Sequence, residues 1–246
     1  MMRLGLVVPF YNHEHAIPRT IAALKPFGFR CWLVDDGSDA RCAPVLDAIA
    51  TAESSWLTLV RLPVNRGKGV AVLTGFSAAF SAGCTHALQI DADGQHAFDD
   101  VPRIAALADA HPAAIVTGVP VFDASAPASR RIGRKLTTLW VRINTLSSVI
   151  EDAMCGFRVY PLEPIVRLAA REHCGRRMEF DPEILVRAVW AGVPVVSMAT
   201  RVTYPSDGVS HFKMWRDNVR ISWMHTRLFF GMLWRAPLLV ARRLRS

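Results

Sequence analysis

His86-Ala87-Leu88-Gln89-Ile90-Asp91-Ala92-Asp93-Gly94 is a short, mostly apolar run that stops at two carboxylates one residue apart. A strand buried on both faces of a parallel sheet reads as such a run. Three similar runs lie upstream. Residues 4–10 end at Tyr11-Asn12, residues 31–34 end at Asp35-Asp36-Gly37-Ser38, and residues 57–62 precede Asn65-Arg66-Gly67-Lys68-Gly69. Helical patterns over 14–24, 43–52 and 69–81 separate them, and a helix at 102–110 and a strand at 114–117 follow. This alternation predicts an α/β fold, with a mostly parallel central sheet and helices on both faces. In open sheets of this kind ligands bind beyond the carboxyl ends of the strands. The polar and glycine-rich segments 11–12, 35–38, 65–69 and 91–96 are therefore expected to share one cleft.

The second half is less regular. A helix is expected over 129–148, with a basic start at Arg130, Arg131, Arg134 and Lys135, then an extended piece over 155–160 and a helix over 182–190 closed by Gly192. Short strands over 193–197 and 201–204 lead into a loop at 205–211. No repeat or linker interrupts the chain, so the expected organisation is a domain over 1–212 and a helical tail over 213–246.

The 246 residues suffice for a sizeable core. The five cysteines are odd in number, scattered and without a CxxC pair, which argues against a zinc site or disulfide framework and for reduced, apolar-like residues. No apolar stretch approaches the roughly 20 residues of a spanning helix, and no signal-peptide pattern is visible. The expected location is the cytoplasm, at the inner face of the membrane. Of the net charge of +8, nearly all lies from Lys213 onward, where eight Lys/Arg face one acid, Asp217.

Paired carboxylates at a strand end suit a hard cation such as Mg²⁺ or Mn²⁺, which takes oxygen ligands and bridges to substrate phosphates. Taken alone, Asp91 and Asp93 equally suit a solvated turn. Asp36 can accept hydrogen bonds from a base or ribose, or can cap the helix that begins near residue 43. The 65–69 loop combines two glycines and two cations at a helix start, a setting for an anion. It lacks the Walker A spacing.

Five motifs occur in order: Val8-Pro9-Phe10-Tyr11-Asn12, Val34-Asp35-Asp36-Gly37-Ser38, Asn65-Arg66-Gly67-Lys68-Gly69, Asp91-Ala92-Asp93-Gly94-Gln95-His96 and Cys155-Gly156-Phe157-Arg158. Together they resemble family 2 glycosyltransferases of GT-A fold, closest to the branch of dolichyl- and polyprenyl-phosphate mannose synthases, over roughly residues 3 to 215. The resemblance implies inverting transfer of a hexose-type sugar from a UDP- or GDP-sugar, with a metal on the diphosphate. It implies that Pro9 and Tyr11 line the base pocket, that Asp36 contacts the base, and that Lys68 lies near the ribose or phosphates. Asp91 would touch ribose or metal, Asp93 would ligate the metal, Gln95 would complete that loop, and Arg158 would help hold the donor. Ser210-His211-Phe212 is similar to a late loop that closes over the diphosphate, making His211 a phosphate or metal contact.

On the acceptor side, a hydroxyl calls for a carboxylate base, whereas an ionised phosphate needs none. Asp152 is the candidate, with Asp93 beside it in the catalytic set. Glu179 and Asp181 are rivals, although Glu179, Asp181 and Glu183 also suit capping of the helix beside Pro182. Gly118-Val119-Pro120 departs from the Gly-Ser-Arg that members of this branch often carry, which weakens the case for a polyprenyl phosphate acceptor. The basic start of the 129–148 helix is a possible substitute.

In the tail, Trp and bulky apolar residues alternate with arginines. This suits an anionic membrane surface, as a lipid-linked acceptor would require, but also a helix packed on the domain. Pro237 is expected to break or kink it. Nucleic acid is not an expected partner, since no stacking module accompanies the charge. Two other readings are a sugar nucleotidyltransferase, which would want a basic Gly-rich loop after the first strand, and a catalytically inactive GT-A domain that only binds membrane or partners.

Overall fold

A computed structural model describes residues 1–122, 128–203 and 213–244. Its seven strands, β1 (Leu4–Phe10), β2 (Arg30–Asp35), β3 (Leu57–Arg61), β4 (His86–Gln89), β5 (Ile115–Phe122), β6 (Arg158–Pro161) and β7 (Val195–Val202), form one sheet in the order β3-β2-β1-β4-β6-β5-β7. All neighbouring strands are parallel except β6, which runs antiparallel to both β4 and β5. The expected mostly parallel α/β sheet is present.

All seven residues of β1 are buried, as a central strand covered on both faces requires. Successive side chains alternate between faces. Val7 joins the apolar layer of α3 (Lys68–Ser81), α5 (Ala128–Thr145), α6 (Leu162–Arg171), α7 (Phe180–Trp190) and α8 (Met214–Arg243). Leu6 and Val8 join the layer of α1 (Ile17–Leu24), α2 (Ala43–Ala52) and α4 (Val101–Ala110). All five cysteines are free and buried.

Several expected elements are corrected. α1 begins at Ile17, because Pro18 sits in its first turn, where proline needs no helical hydrogen bond. The two short strands expected at 193–197 and 201–204 are one strand, β7, since β5 extends through Gly118-Val119-Pro120 and pairs with it over eight positions. Pro120 lies beyond the two residues of β5 that pair with β6, so it occupies the edge-like position a strand proline tolerates. α6 is an additional element, burying Leu162, Ile165 and Leu168. Pro237 does not end the last helix, which runs on to Arg243. Contacts beyond the proline hold it: Leu239 is buried, and an Arg242 N–H donates to the Trp190 carbonyl at 2.8 Å.

α8 packs on α5 and α7 through Ile221, Met224, His225, Leu228 and Met232. Each fully buried side chain of this size contributes roughly 1.5–3 kcal/mol, so the docking is substantial. Its other face exposes Trp215, Trp223, Phe230 and Trp234, the last 87% accessible. Among the described residues no helix is long and apolar enough to cross a membrane.

His225 stacks on Trp140 of α5, and its Nδ1 lies 3.3 Å from Asn144 Nδ2. Burial pushes its pKa down to about 4. The unfolded chain takes up this proton near pH 6.5, the folded chain only near 4, so acidification between these values favours unfolding. Denaturant unfolding is expected to show stability falling by up to about 1.4 kcal/mol per pH unit across that window. His225→Gln should lack this component, and identical pH slopes for the two proteins would refute it.

Candidate active site

The cleft forms at the carboxyl ends of β1, β2 and β4. Asn12, in the left-handed region at φ 52°, follows β1. Its side chain donates to Asp39 Oδ2 at 3.0 Å and accepts from the Asp39 N–H at 2.9 Å, fastening the β1 loop to the β2 loop. Asp35 Oδ1 accepts from the Ser38 N–H at 3.0 Å, an Asx-type turn.

Asp36 is almost wholly buried, and its two oxygens accept from the Arg66 and Gly67 N–H groups at 2.8 and 2.7 Å. Burial raises its pKa despite these two donors. Asp36 therefore caps no helix but clamps the 65–69 backbone, one N–H to each oxygen. Gly67 has φ 102°, and a Cβ there would collide with the Arg176 carbonyl. The Gly69 N–H donates to that same carbonyl at 2.8 Å. Arg177 donates to Asn65 Oδ1 at 2.8 Å, completing the hold on the loop.

Lys68, the first residue of α3, is only 17% accessible at its side chain. Its Nζ lies 2.7 and 2.9 Å from the two Asp91 oxygens and 2.7 Å from Asp181 Oδ2. Burial opposes its charge, but Asp181 and Asp91 outweigh that and drive its pKa above the ordinary lysine value. Burial likewise opposes ionisation of Asp91, yet Lys68 and His96 hold it well below the usual carboxylate range. His96 Nε2 is 3.8 Å from Asp91, and its ring stacks on Phe157. Asp181 also accepts from Gln89 Nε2 at 3.1 Å.

Asp93 is half-buried. Its Oδ1 accepts the Gln95 N–H at 3.1 Å, and among the described residues no cation pairs with it. The Asp91–Gln95 loop is fastened to β7, since the Ala97 N–H donates to the Arg201 carbonyl at 3.3 Å and the Thr203 N–H to the Gln95 carbonyl at 3.1 Å. Lys68 already meets the Asp91 charge, so Asp93 is the carboxylate left for a cation. One or two carboxylates completed by substrate phosphates is the way Mg²⁺ is commonly held, and this donor set fits it. His211 lies outside the described residues.

Arg158 is corrected. It is completely buried, donating to Thr117 at 3.1 Å, to the Tyr160 hydroxyl at 3.3 Å and to the Asp181 carbonyl at 2.7 Å, so it supports the cleft floor rather than facing a donor. The base role of Asp152 is corrected as well. Both its oxygens take Arg134 at 2.9 Å, and Oδ1 also accepts the Met154 and Cys155 N–H groups. Its oxygens thus face Arg134 and the 154–155 backbone rather than an acceptor hydroxyl. The three acids near Pro182 do not cap α7 either. Glu179 accepts the Arg176 and Arg177 N–H groups, and Glu183 pairs with Arg187 and Arg227. Pro9 is a buried residue of β1 and Tyr11 follows the strand, whose last carbonyl, that of Phe10, accepts the Asp36 N–H at 2.9 Å.

Residues 6–165 match the family model described as "Glycosyl transferase family 2". The chain belongs to glycosyl transferase family 2. It is accordingly a glycosyltransferase, as the motifs anticipated. It is 30% identical over 244 residues to a dolichyl-phosphate beta-glucosyltransferase of Dictyostelium discoideum, covering 89% of this chain and 73% of that protein. It is 30% identical over 186 residues to an undecaprenyl-phosphate 4-deoxy-4-formamido-L-arabinose transferase of Sodalis glossinidius, covering 73% of this chain and 54% of that protein. The glycosyltransferase thus spans little more than half the length of the second relative. A glucosyl-3-phosphoglycerate synthase from Mycobacterium tuberculosis, solved with Mn²⁺, UDP-glucose and phosphoglyceric acid, superposes with TM-score 0.67 at 14% identity, over 94% of this chain and 79% of that one. A mannosyltransferase from Pyrobaculum calidifontis, solved with GDP-mannose and Mn²⁺, gives 0.60 at 17% identity, over 97% and 73%. These likenesses establish the GT-A fold of this family 2 glycosyltransferase.

Gly156 explains the Cys155-Gly156-Phe157-Arg158 motif in a way sequence alone does not. A Cβ at Gly156 would collide with the Asp91 carboxylate. Gly156→Ala is expected to displace Asp91 from Lys68 and to reduce transfer about tenfold or more, with the far-ultraviolet circular dichroism unchanged. Wild-type turnover in that variant would contradict the contact.

Proposed function

We propose that this glycosyltransferase moves a hexose-type sugar, with inversion, from a UDP- or GDP-sugar to a lipid-linked acceptor, a polyprenyl phosphate, at the inner membrane surface. The observation that carries the reading is Asp93: a carboxylate with no cation of its own among the described residues, one residue from an Asp91 already paired with Lys68. Asp93 and Asp91 would hold Mg²⁺ or Mn²⁺ on the donor diphosphate, with His211 a third candidate ligand. When bound, the metal offsets the negative charge that grows on the leaving diphosphate.

The chain's own groups supply the rest. The 65–69 loop, clamped by Asp36, presents a helix start toward an anion, and Pro9, Tyr11 and Gln95 would line the nucleotide-sugar pocket. An acceptor oxygen attacks the anomeric carbon as its bond to the diphosphate breaks. A phosphate oxygen arrives already ionised, so the occupied state of Asp152 is no obstacle. Arg134, held by Asp152 at the start of α5, supplies the acceptor side with the cation that Gly118-Val119-Pro120 lacks. Relatives named for dolichyl phosphate and undecaprenyl phosphate support this acceptor class.

Trp215, Phe230 and Trp234 lie on the outward face of α8 among arginines, a pattern that seats rings at headgroup depth and guanidinium groups on anionic lipid. Because the opposite face of α8 is part of the core, point substitutions test this better than removal of the helix. The W215A/F230A/W234A variant is expected to keep its melting temperature and to lose most of its sedimentation with phosphatidylglycerol vesicles. Undiminished sedimentation would refute membrane docking by this face.

Asp93→Asn is expected to lower Mn²⁺- or Mg²⁺-dependent transfer on the order of 100-fold while leaving the fold intact. Turnover equal to wild type would remove Asp93 from the metal site.

A further inference from the structure

Across the 65–69 loop from the donor cleft lies a cavity of about 530 Å³. Arg66, Arg176, Arg177, Arg220 and Arg227 line it, with Glu179 the single lining carboxylate. None of Pro9, Tyr11, Asp36, Lys68, Asp91 or Asp93 belongs to its wall.

The arginines differ in how far their charge is met. Arg227 pairs with buried Glu183 at 3.1 Å, and Arg220 with Asp217 at 3.2 Å. Arg177 donates to the neutral amide of Asn65. Among the described residues, the Arg66 and Arg176 side chains have no acidic partner. Arg227 Nε is buried without a hydrogen-bond partner. Glu179 brings one negative charge, its Oε1 accepting the Arg176 and Arg177 N–H groups, against the three guanidinium groups of Arg66, Arg176 and Arg177. Convergence of like charges costs self-repulsion, which an anion relieves. Guanidinium groups match the planar, bidentate geometry of phosphoryl oxygens.

We propose that this cavity is a second anion site, separate from the donor cleft, that takes a phosphoryl group, either a phosphomonoester or a diphosphate. The inference does not depend on the reading of the donor cleft. The same chemistry is carried by a lipid headgroup and by soluble phosphate. Trp223, also in the wall and on the outward face of α8, sets the cavity beside the helix face described above. The site shares the 65–69 loop with the donor cleft through Asn65 and Arg66, and the Arg176 carbonyl holds the Gly69 N–H. Occupation therefore steadies the loop that carries Lys68.

The test is calorimetric titration of the full chain with inorganic pyrophosphate in the presence of EDTA, which removes any metal-dependent binding at Asp91 and Asp93. One molecule is expected to bind. R66Q/R176Q should weaken binding about tenfold or more, and Glu179→Gln, which keeps the hydrogen-bond acceptor and removes the charge, should tighten it several-fold. That gain cannot come from misfolding. Displacement of pyrophosphate by phosphatidic acid vesicles, but not by phosphatidylcholine vesicles, assigns the site to a lipid headgroup. Binding without such displacement assigns it to soluble phosphate. No binding, or affinity unchanged in both variants, overturns the proposal.

Discussion

The Lys68 ammonium, buried between Asp91 and Asp181, is the contact on which the cleft depends. It joins the start of α3, the end of β4 and the start of α7. Removing one partner from a buried ionic cluster leaves an uncompensated charge, at a cost of about 3–5 kcal/mol. Each neighbour is arranged around that constraint. Gly156 gives the Asp91 carboxylate room, Gln89 occupies the other Asp181 oxygen, and Arg158 braces the Asp181 backbone from below. The motifs are thus mechanically joined, beyond lying near one another.

A division of charge follows. Asp91 is already neutralised by the protein, whereas Asp93 presents a carboxylate without a cation among the described residues. Asp152 and Arg134 form a second ion pair, between α5 and the segment before β6. On α8, Arg227, Arg235 and Arg242 engage Glu183, the Trp190 ring and the Trp190 carbonyl. Part of the basic tail is therefore spent on docking the helix, while Lys213 and Arg216 at its start are exposed.

The sheet was legible because β1 and β4 are buried on both faces and so read as unbroken apolar runs. Convergence of the polar segments then follows from parallel topology. Site chemistry was less legible, because one residue type serves two physical ends. Asp36 looks from its spacing like a ligand-facing carboxylate, but it is a clamp for two backbone N–H groups. Arg158 is set on the donor by the family resemblance, but pairing between β6 and its two neighbours places it in the core. The Gly156–Asp91 contact joins residues far apart in the chain, so no local pattern announces it. β7 was split in two because Met198, Ala199 and Thr200 have no strong strand pattern alone, and its continuity comes from pairing with β5.

The antiparallel β6 has a consequence for the order of assembly. β1 to β4 form a contiguous parallel unit from the first 89 residues, whose contacts are comparatively local. β5 acquires its long partner only when β7 has been made, and β6 must slide between β4 and β5 from the intervening chain. The Asp91–Gln95 loop is fastened by Arg201 and Thr203, which arrive only with β7. A nascent chain therefore completes its β1 to β4 half well before the carboxylate loop is locked. Synthesis leaves an interval in which an open sheet edge at β4 is exposed to wrong partners.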